Sequence, residues 1–198
     1  MNTQFIEQRV EVASARPRRR RVASSQPPAP VVYRQATADE APAIHALIAA
    51  HLEEGRLLPR EVNELATHAN RFVIAIRDGG IVGCGELAPL SSRVAEVRSL
   101  VVSRHARSLG VGRRLVEALK RRASIEGFDQ LSAFAHDAAY FVRMGFSIVP
   151  HTWVPEKIAR DCTSCAQFRR CGQHALVLSL AGSQPRADTF VPLSSLRG

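Results

Sequence analysis

Apolar residues recur along this chain with two different periods, and the switches between them outline the fold. Residues 31–35 read as a first strand. Ile44, Leu47, Ile48 and Leu52 then fall on one helical face and predict a helix over residues 43–52. Thr37-Ala38-Asp39-Glu40 supplies helix-start chemistry before it, and Gly55 breaks it. Residues 59–68 predict a second, short helix. The Val- and Ile-rich runs 71–77 and 81–87 are strands joined at Asp78-Gly79-Gly80, a hairpin signal. Residues 94–103 form the central strand. Residues 110–126 form the main helix, with Leu115, Ala118 and Leu119 on one side and Gly127 at its end. A strand over 131–135, a short helix over 138–144, and strands over 146–149 and 175–180 complete the pass. There is no internal repeat.

This order, β-α-α-β-β-β-α-β-α-β and a final strand, is mixed rather than strictly alternating. It predicts an α/β (α+β) domain, a mostly antiparallel sheet with helices on both faces. The ends look different. Residues 1–30 carry a polyarginine run and then Ser24-Ser25-Gln26-Pro27-Pro28-Ala29-Pro30, with little to bury, and read as a disordered Arg/Pro-rich segment. Residues 181–198 read as a flexible tail. The domain is therefore expected over residues 31–180.

Composition adjusts this picture in two places. At 198 residues and 45% hydrophobic, the chain can bury one core. Of the net charge of +9, the first 30 residues hold +4, from six arginines against Glu7 and Glu11. A basic protein favours acidic ligands, and it also attracts nucleic acid without sequence preference. No apolar run approaches the roughly 20 residues of a membrane span, so no membrane partner is expected. The leader lacks the long apolar stretch of a secretory signal, while an organelle transit peptide or a solubilising tail stays open. Four cysteines without an export signal point to a reducing compartment, the cytoplasm. Cys84, inside a strand, reads as a small buried hydrophobe.

The candidate chemistry centres on Arg107-Ser108-Leu109-Gly110-Val111-Gly112, between the run 97–102 and the periodic segment 111–125. A strand, a tight Arg/Gly turn and a helix in that order make an anion site. Glycine lets the backbone approach the anion, and the unpaired amides and dipole of a helix start favour negative charge. Arg107 and Arg113 add charge-assisted donors. A P-loop is excluded because Gly112 is followed by Arg-Arg, and a dinucleotide fingerprint because only Gly110 and Gly112 are present.

The remaining pattern, Arg-x-x-Gly-x-Gly after Val-Arg-Ser-Leu-Val-Val, resembles the pyrophosphate loop of the GNAT N-acetyltransferases, which bind acetyl-CoA. The resemblance covers residues 31–180. It implies that the sheet splays beside the central strand and that the backbone of Leu100, Val101 and Val102 pairs with the pantetheine arm. Ser108, Gly110, Val111 and Gly112 would cup the diphosphate. Further stretches narrow it: Gly55-Arg56-Leu57-Leu58-Pro59-Arg60, Val82-Gly83-Cys84-Gly85-Glu86-Leu87, Ala95-Glu96-Val97-Arg98, Tyr140-Phe141-Val142-Arg143-Met144-Gly145-Phe146 and Val154-Pro155-Glu156-Lys157. Together these are similar to the short amino-acid N-acetyltransferases, the N-acetylglutamate synthases of arginine biosynthesis. The implied reaction is acetyl transfer from acetyl-CoA to L-glutamate.

Glutamate brings two carboxylates, which arginine forks bind in bidentate fashion. The resemblance places Arg60 where an arginine contacts substrate carboxylate and Arg93 where relatives carry a lysine. Arg98 shares a strand face with Glu96. Glu96 is the first choice for the base that takes the ammonium proton, and its rival role is a salt bridge to Arg98. Tyr140 stands where a tyrosine protonates the leaving thiolate in relatives, and packing against Phe141 and Phe146 is the other reading. His136 replaces the Thr or Asn of relatives and is a second base candidate as well as a substrate-binding one. Arg104 replaces a proline.

Cys162-x2-Cys165-x5-Cys171-x2-His174, in a Cys-rich insert over 154–174, has the spacing of a structural zinc site, with redox-active or inert thiols as the alternatives. Two other functions stay open: a GNAT enzyme acting on a protein N-terminus, lysine or another small amine, and a basic nucleic-acid-binding module with a zinc knuckle, the weakest of the three. A homodimer is compatible with all of them.

Overall fold

The computed structural model describes residues 29–54, 57–165 and 168–180. The expectations for residues 1–28 and 181–198, and for Gly55, lie outside the described residues. Among the described residues seven strands form one sheet: β1 (Val32–Gln35), β2 (Phe72–Arg77), β3 (Gly80–Pro89), β4 (Val94–Val102), β5 (Gln130–Ala135), β6 (Ser147–Val149) and β7 (His174–Ser179). Their spatial order is β1-β2-β3-β4-β5-β7-β6. Every pairing is antiparallel except β4 with β5.

The helices are α1 (Ala41–Ala49), α2 (Val62–Thr67), α3 (Val111–Ile125), α4 (Ala138–Val142) and α5 (Pro155–Lys157). Alternation along β2 assigns them to two faces. Val73 and Ala75 join Val111, Leu115, Val116 and Leu119 of α3 in one core. Phe72 and Ile74 point the other way, into a core with Ile44, Leu47 and Ile48 of α1 and Leu65 of α2. Cys84 is fully buried there, and burial pushes its thiol up to about 12. It is an inert packing residue.

Several element boundaries shift by a few residues from the sequence reading, and two differences matter most. The first helix starts early, as a 3-10 turn over Ala38–Glu40 that runs into α1, and α2 is shorter than residues 59–68. The segment after β6 holds structure that no periodicity announced: a 3-10 turn at His151–Trp153, α5, and a π-helical turn over Ile158–Cys162. Such short turns place too few residues on a face to leave a period.

The early start at Thr37 carries a pH prediction. Glu40 Oε2 accepts from the Thr37 amide at 2.9 Å, and the Glu40 carboxylate takes two bonds from Arg34 at 2.6 and 2.8 Å. These bonds, Arg34 first, pull the Glu40 carboxyl from 4.5 down to about 2. A depressed carboxyl pKa contributes stability above the unfolded value and loses it as pH falls through the folded one. Glu40→Gln is therefore expected to lower the melting temperature at neutral pH. The gap from wild type should close as pH drops from 4.5 toward about 2. A gap of constant size across that range would show that Glu40 acts without its charge.

Candidate active site

The sheet opens where the site lies. β4 and β5 pair only over Val94–Val97 and Gln130–Ala133. Beyond that, β5 continues on β7 and β4 continues on β3. A cavity of about 1020 Å³ occupies this region, lined in its middle by Leu100, Val101, Val102, Tyr140 and Phe141. A bulge in β4 shapes its wall. Cys84 faces Val101 and Glu86 faces Arg98, so Gly85 spans Ser99 and Leu100. Ser99 takes up the extra residue at φ +47°, a left-handed conformation a serine adopts at some cost.

The end of the cavity at residues 107–113, expected to take the donor, is local in sequence. After β4 the chain makes a 3-10 turn at Arg104–Ala106 and reaches α3 through two left-handed residues, Ser108 at φ +68° and Gly110 at φ +74°. Gly110 caps α3, and its carbonyl accepts from the Arg114 amide at 3.1 Å. The amides of Val111, Gly112 and Arg113 therefore precede the first intrahelical bond, and all three residues line the cavity with Arg107 and Ser108. Fifteen aligned peptides add their dipole at this point. Arg107 Nη2 donates to both oxygens of Glu54, at 2.8 and 2.9 Å, and Arg113 Nε to Glu117 at 2.8 Å.

Tyr140 links the two ends. Asp137 caps α4 by accepting from the Tyr140 amide at 3.3 Å. The ring meets Phe141 edge-on at 5.4 Å, and its hydroxyl lies so close to Gly112 that a Cβ there would overlap it. Burial raises the Tyr140 pKa, against a smaller opposing pull from Arg143, so the phenol keeps its proton at neutral pH. The ring packs on Phe141 while its hydroxyl faces the start of α3 at Gly112.

The opposite end, expected to take the acceptor, is assembled from distant segments. Glu96 is buried, 3% exposed. Its Oε2 accepts from Arg98 Nε at 2.6 Å, and its two oxygens accept from Lys157 Nζ at 2.8 and 3.0 Å. Asp161 closes the square, accepting from Arg98 Nη2 and pairing with Lys157 at 3.0 Å. Lys157 also stands 5.2 Å over the Phe134 ring. Burial is the largest influence on Arg98 and disfavours its charge, but Glu96 and Asp161 together leave its pKa above the ordinary value.

A second cluster stands beside the first. Arg60 donates to Glu64 at 2.7 and 3.0 Å, and through Nη1 to buried Glu86 and to Ser99 Oγ, each at 2.8 Å. Four of its five N–H donors are thus engaged. With Arg160 on the cavity wall, four cations face four carboxylates around the acceptor end. Such a balanced, partly dry enclosure suits a ligand that carries both signs.

Of the residues singled out from sequence, Arg60, Glu96, Arg98, His136 and Tyr140 line this one cavity with the whole 107–113 loop except Leu109. Arg93 does not. It lies in the β3–β4 connection, paired with Asp129, and is absent from the cavity wall. The zinc expectation finds no support in the described geometry. Among the described residues no group of three or more His, Cys, Asp or Glu could hold a metal ion. His174 is the first residue of β7, opposite Ala135, and is exposed. Cys171 is exposed, and Cys162 and Cys165 are only half-buried. The segment instead walls the acceptor end, through Lys157, Arg160, Asp161, Ser164 and Gln173.

Glu54, Glu64, Glu86, Ser99, Lys157, Arg160 and Asp161 are functional candidates that the sequence reading missed. Glu86 and Ser99 had a signal, a polar residue inside an apolar run. Lys157 and Asp161 had the i,i+4 spacing of a helical ion pair.

Comparison with known proteins agrees with this geometry. The model of the acetyltransferase (GNAT) family matches residues 35–146. An uncharacterized N-acetyltransferase of Chlorobaculum tepidum is 33% identical over 154 residues, 78% of this chain and 99% of the relative. An amino-acid acetyltransferase of Neisseria meningitidis is 32% identical over 136 residues, 68% of this chain. The chain spans only 31% of that relative's length. Among solved structures, N-acetylglutamate synthase from Neisseria gonorrhoeae, complexed with coenzyme A and N-acetyl-glutamate, superposes with a TM-score of 0.69 at 31% identity. The match covers 77% of this chain and 35% of that one. Among the described residues no helix is long and apolar enough to cross a membrane.

Proposed function

Because the chain belongs to the acetyltransferase (GNAT) family, we propose that it transfers acetyl from acetyl-CoA to the α-amine of a small amino acid, L-glutamate before others. The products are N-acetyl-L-glutamate and CoA, the first step of arginine biosynthesis. One observation carries this reading. A single cavity joins a helix terminus suited to a diphosphate with an enclosure of Arg60, Arg98 and Lys157 around a buried carboxylate, Glu96. The relatives named amino-acid acetyltransferase support the same substrate class.

The residues divide the reaction as follows. The amides of residues 111–113 and Arg107 hold the diphosphate. The backbone of Leu100, Val101 and Val102, on the stretch of β4 that does not pair with β5, holds the pantetheine arm and polarises the thioester carbonyl. Arg60, Arg98 and Lys157 orient the acceptor carboxylates. Glu96 accepts the ammonium proton, directly or through water, and the neutral amine attacks the carbonyl carbon. The C–N bond forms, the C–S bond breaks, and Tyr140 gives its proton to the departing thiolate; the nitrogen's second proton passes through water to the Tyr140 phenolate, so that the amide, the CoA thiol and one proton on Glu96 remain.

The test is thiol release from acetyl-CoA screened over twenty amino acids. Glutamate-dependent release is the expected result. Release only with peptides or other amines would replace the acceptor and leave the family intact. Arg60→Lys, which keeps the charge but loses the fork, is expected to raise the glutamate KM about tenfold with little change for acetyl-CoA. Arg60→Ala should raise it further, but it also strands Glu86 in the interior, so the lysine variant decides. An unchanged glutamate KM in Arg60→Lys would remove Arg60 from the acceptor site.

A further inference from the structure

The arginine that opens the donor loop is held by a carboxylate of the protein itself. Glu54 ends the 3-10 turn Leu52–Glu54 that follows α1. Its two oxygens accept from Arg107 Nη2 at 2.8 and 2.9 Å, and Oε1 also faces Arg104 Nε at 3.4 Å. Arg107 keeps a second tie, from Nε to the Val102 carbonyl at 3.3 Å, which aims its guanidinium along the end of β4. Glu54, Arg107, Ser108, Gly110 and Gly112 all line the same cavity.

Two anions therefore address one guanidinium. A diphosphate cupped by residues 107–112 brings negative charge to the group that Glu54 already engages. Like charges brought together at this range repel, and Arg107 cannot give its Nη2 donors fully to both. The hydrogen bonds from Arg107 lead the influences that hold the Glu54 carboxyl below its ordinary value, so the carboxylate is ionised at neutral pH.

We infer that Glu54 sets the affinity for the donor: its carboxylate competes with the diphosphate of coenzyme A for Arg107, so that donor binding and product release proceed by exchange at that arginine. The inference rests on the reading of residues 107–112 as the diphosphate loop. Exchange of this kind has a kinetic use. It weakens the hold on acetyl-CoA and on CoA alike, and it gives the departing CoA a carboxylate to take its place. A residue that merely anchors the turn would act in the opposite direction, because its loss would loosen the loop and weaken binding.

The sign of the effect is therefore the test. Calorimetry with CoA compares the full chain with Glu54→Gln, Arg107→Gln and the double variant. Glu54→Gln is expected to bind CoA about three- to tenfold more tightly at low salt, with the gain shrinking as salt screens the charges. Arg107→Gln is expected to bind more weakly, and the gain from Glu54→Gln should be smaller in its background. Acetyl-pantetheine, a thioester donor without the diphosphate, gives the second readout. Its KM should not change in Glu54→Gln, whereas the acetyl-CoA KM should fall. Equal or weaker CoA binding by Glu54→Gln, with wild type binding normally, overturns the competition. No binding of CoA by wild type overturns the donor-loop reading on which it rests.

Discussion

Gly112→Asp is expected to reduce CoA affinity by about 100-fold or more, roughly 3 kcal/mol. Three effects combine. The substitution puts a carboxylate beside the amides of Val111 and Arg113, where a diphosphate would lie, and like charges at about 4 Å repel by one to several kcal/mol depending on the local dielectric. It fills the space that lets an anion approach the backbone. It also displaces Tyr140, since any Cβ at this position overlaps the phenol oxygen. Gly112→Ala separates these effects. Alanine suits a helix and adds no charge, so the fold should hold. Its loss in CoA affinity should be far smaller, while kcat falls because Tyr140 is pushed aside. Calorimetry with CoA gives the affinities, and steady-state thiol release gives kcat. Normal CoA binding by Gly112→Asp would place the diphosphate elsewhere.

Glu96→Gln should lower kcat by about 100-fold or more, the range for removing a positioned base, with little change in CoA affinity. Glu96 is suited to the role by place rather than by isolation. It is buried on the central strand and faces the cavity, but its oxygens also serve Arg98 and Lys157. Glutamine keeps the shape and accepts one of those bonds, yet it cannot take the proton. Removing one partner of a buried ion pair commonly costs about 3–5 kcal/mol, so thermal unfolding must accompany the kinetics. Asp161 remains to balance Arg98 and Lys157, which should keep the variant folded. A variant that melts lower but turns over normally would leave Glu96 as a structural ion pair. His136, on the same cavity wall, would then be the base to test.

The loop at residues 107–113 was legible because the strand, turn and helix that form it are contiguous. An apolar run, a glycine-containing turn and a periodic segment lie within residues 94–125, and local rules suffice to fold them into strand, turn and helix. Even there, the left-handed Ser108 was not foreseen, since serine carries no demand for that conformation. Arg93 shows the opposite case. It was read by its place in a resemblance, but the β3–β4 turn delivers its side chain to Asp129 rather than to the cavity. His174 has metal-ligand spacing, but spacing along a chain does not fix where a side chain ends up, and His174 opens β7 as an exposed residue.

By itself the sequence determined what local chemistry can determine: the succession of strands and helices, the two-faced sheet, and a glycine-containing turn with unpaired amides at the head of α3. Only the tertiary structure decided the acceptor end. Lys157 lies 61 residues after Glu96, and Asp161 lies 63 after Arg98. They meet because β5, α4 and β6 carry the chain away from β4 and return it across the mouth of the splayed sheet. An ion pair between such distant residues leaves no periodic trace, because nothing in the intervening sequence is constrained by it. The Cys-rich segment walls the cavity for the same reason: Lys157 and Asp161 find Glu96 and Arg98 on β4, and Arg160 finds the Pro89 carbonyl on β3.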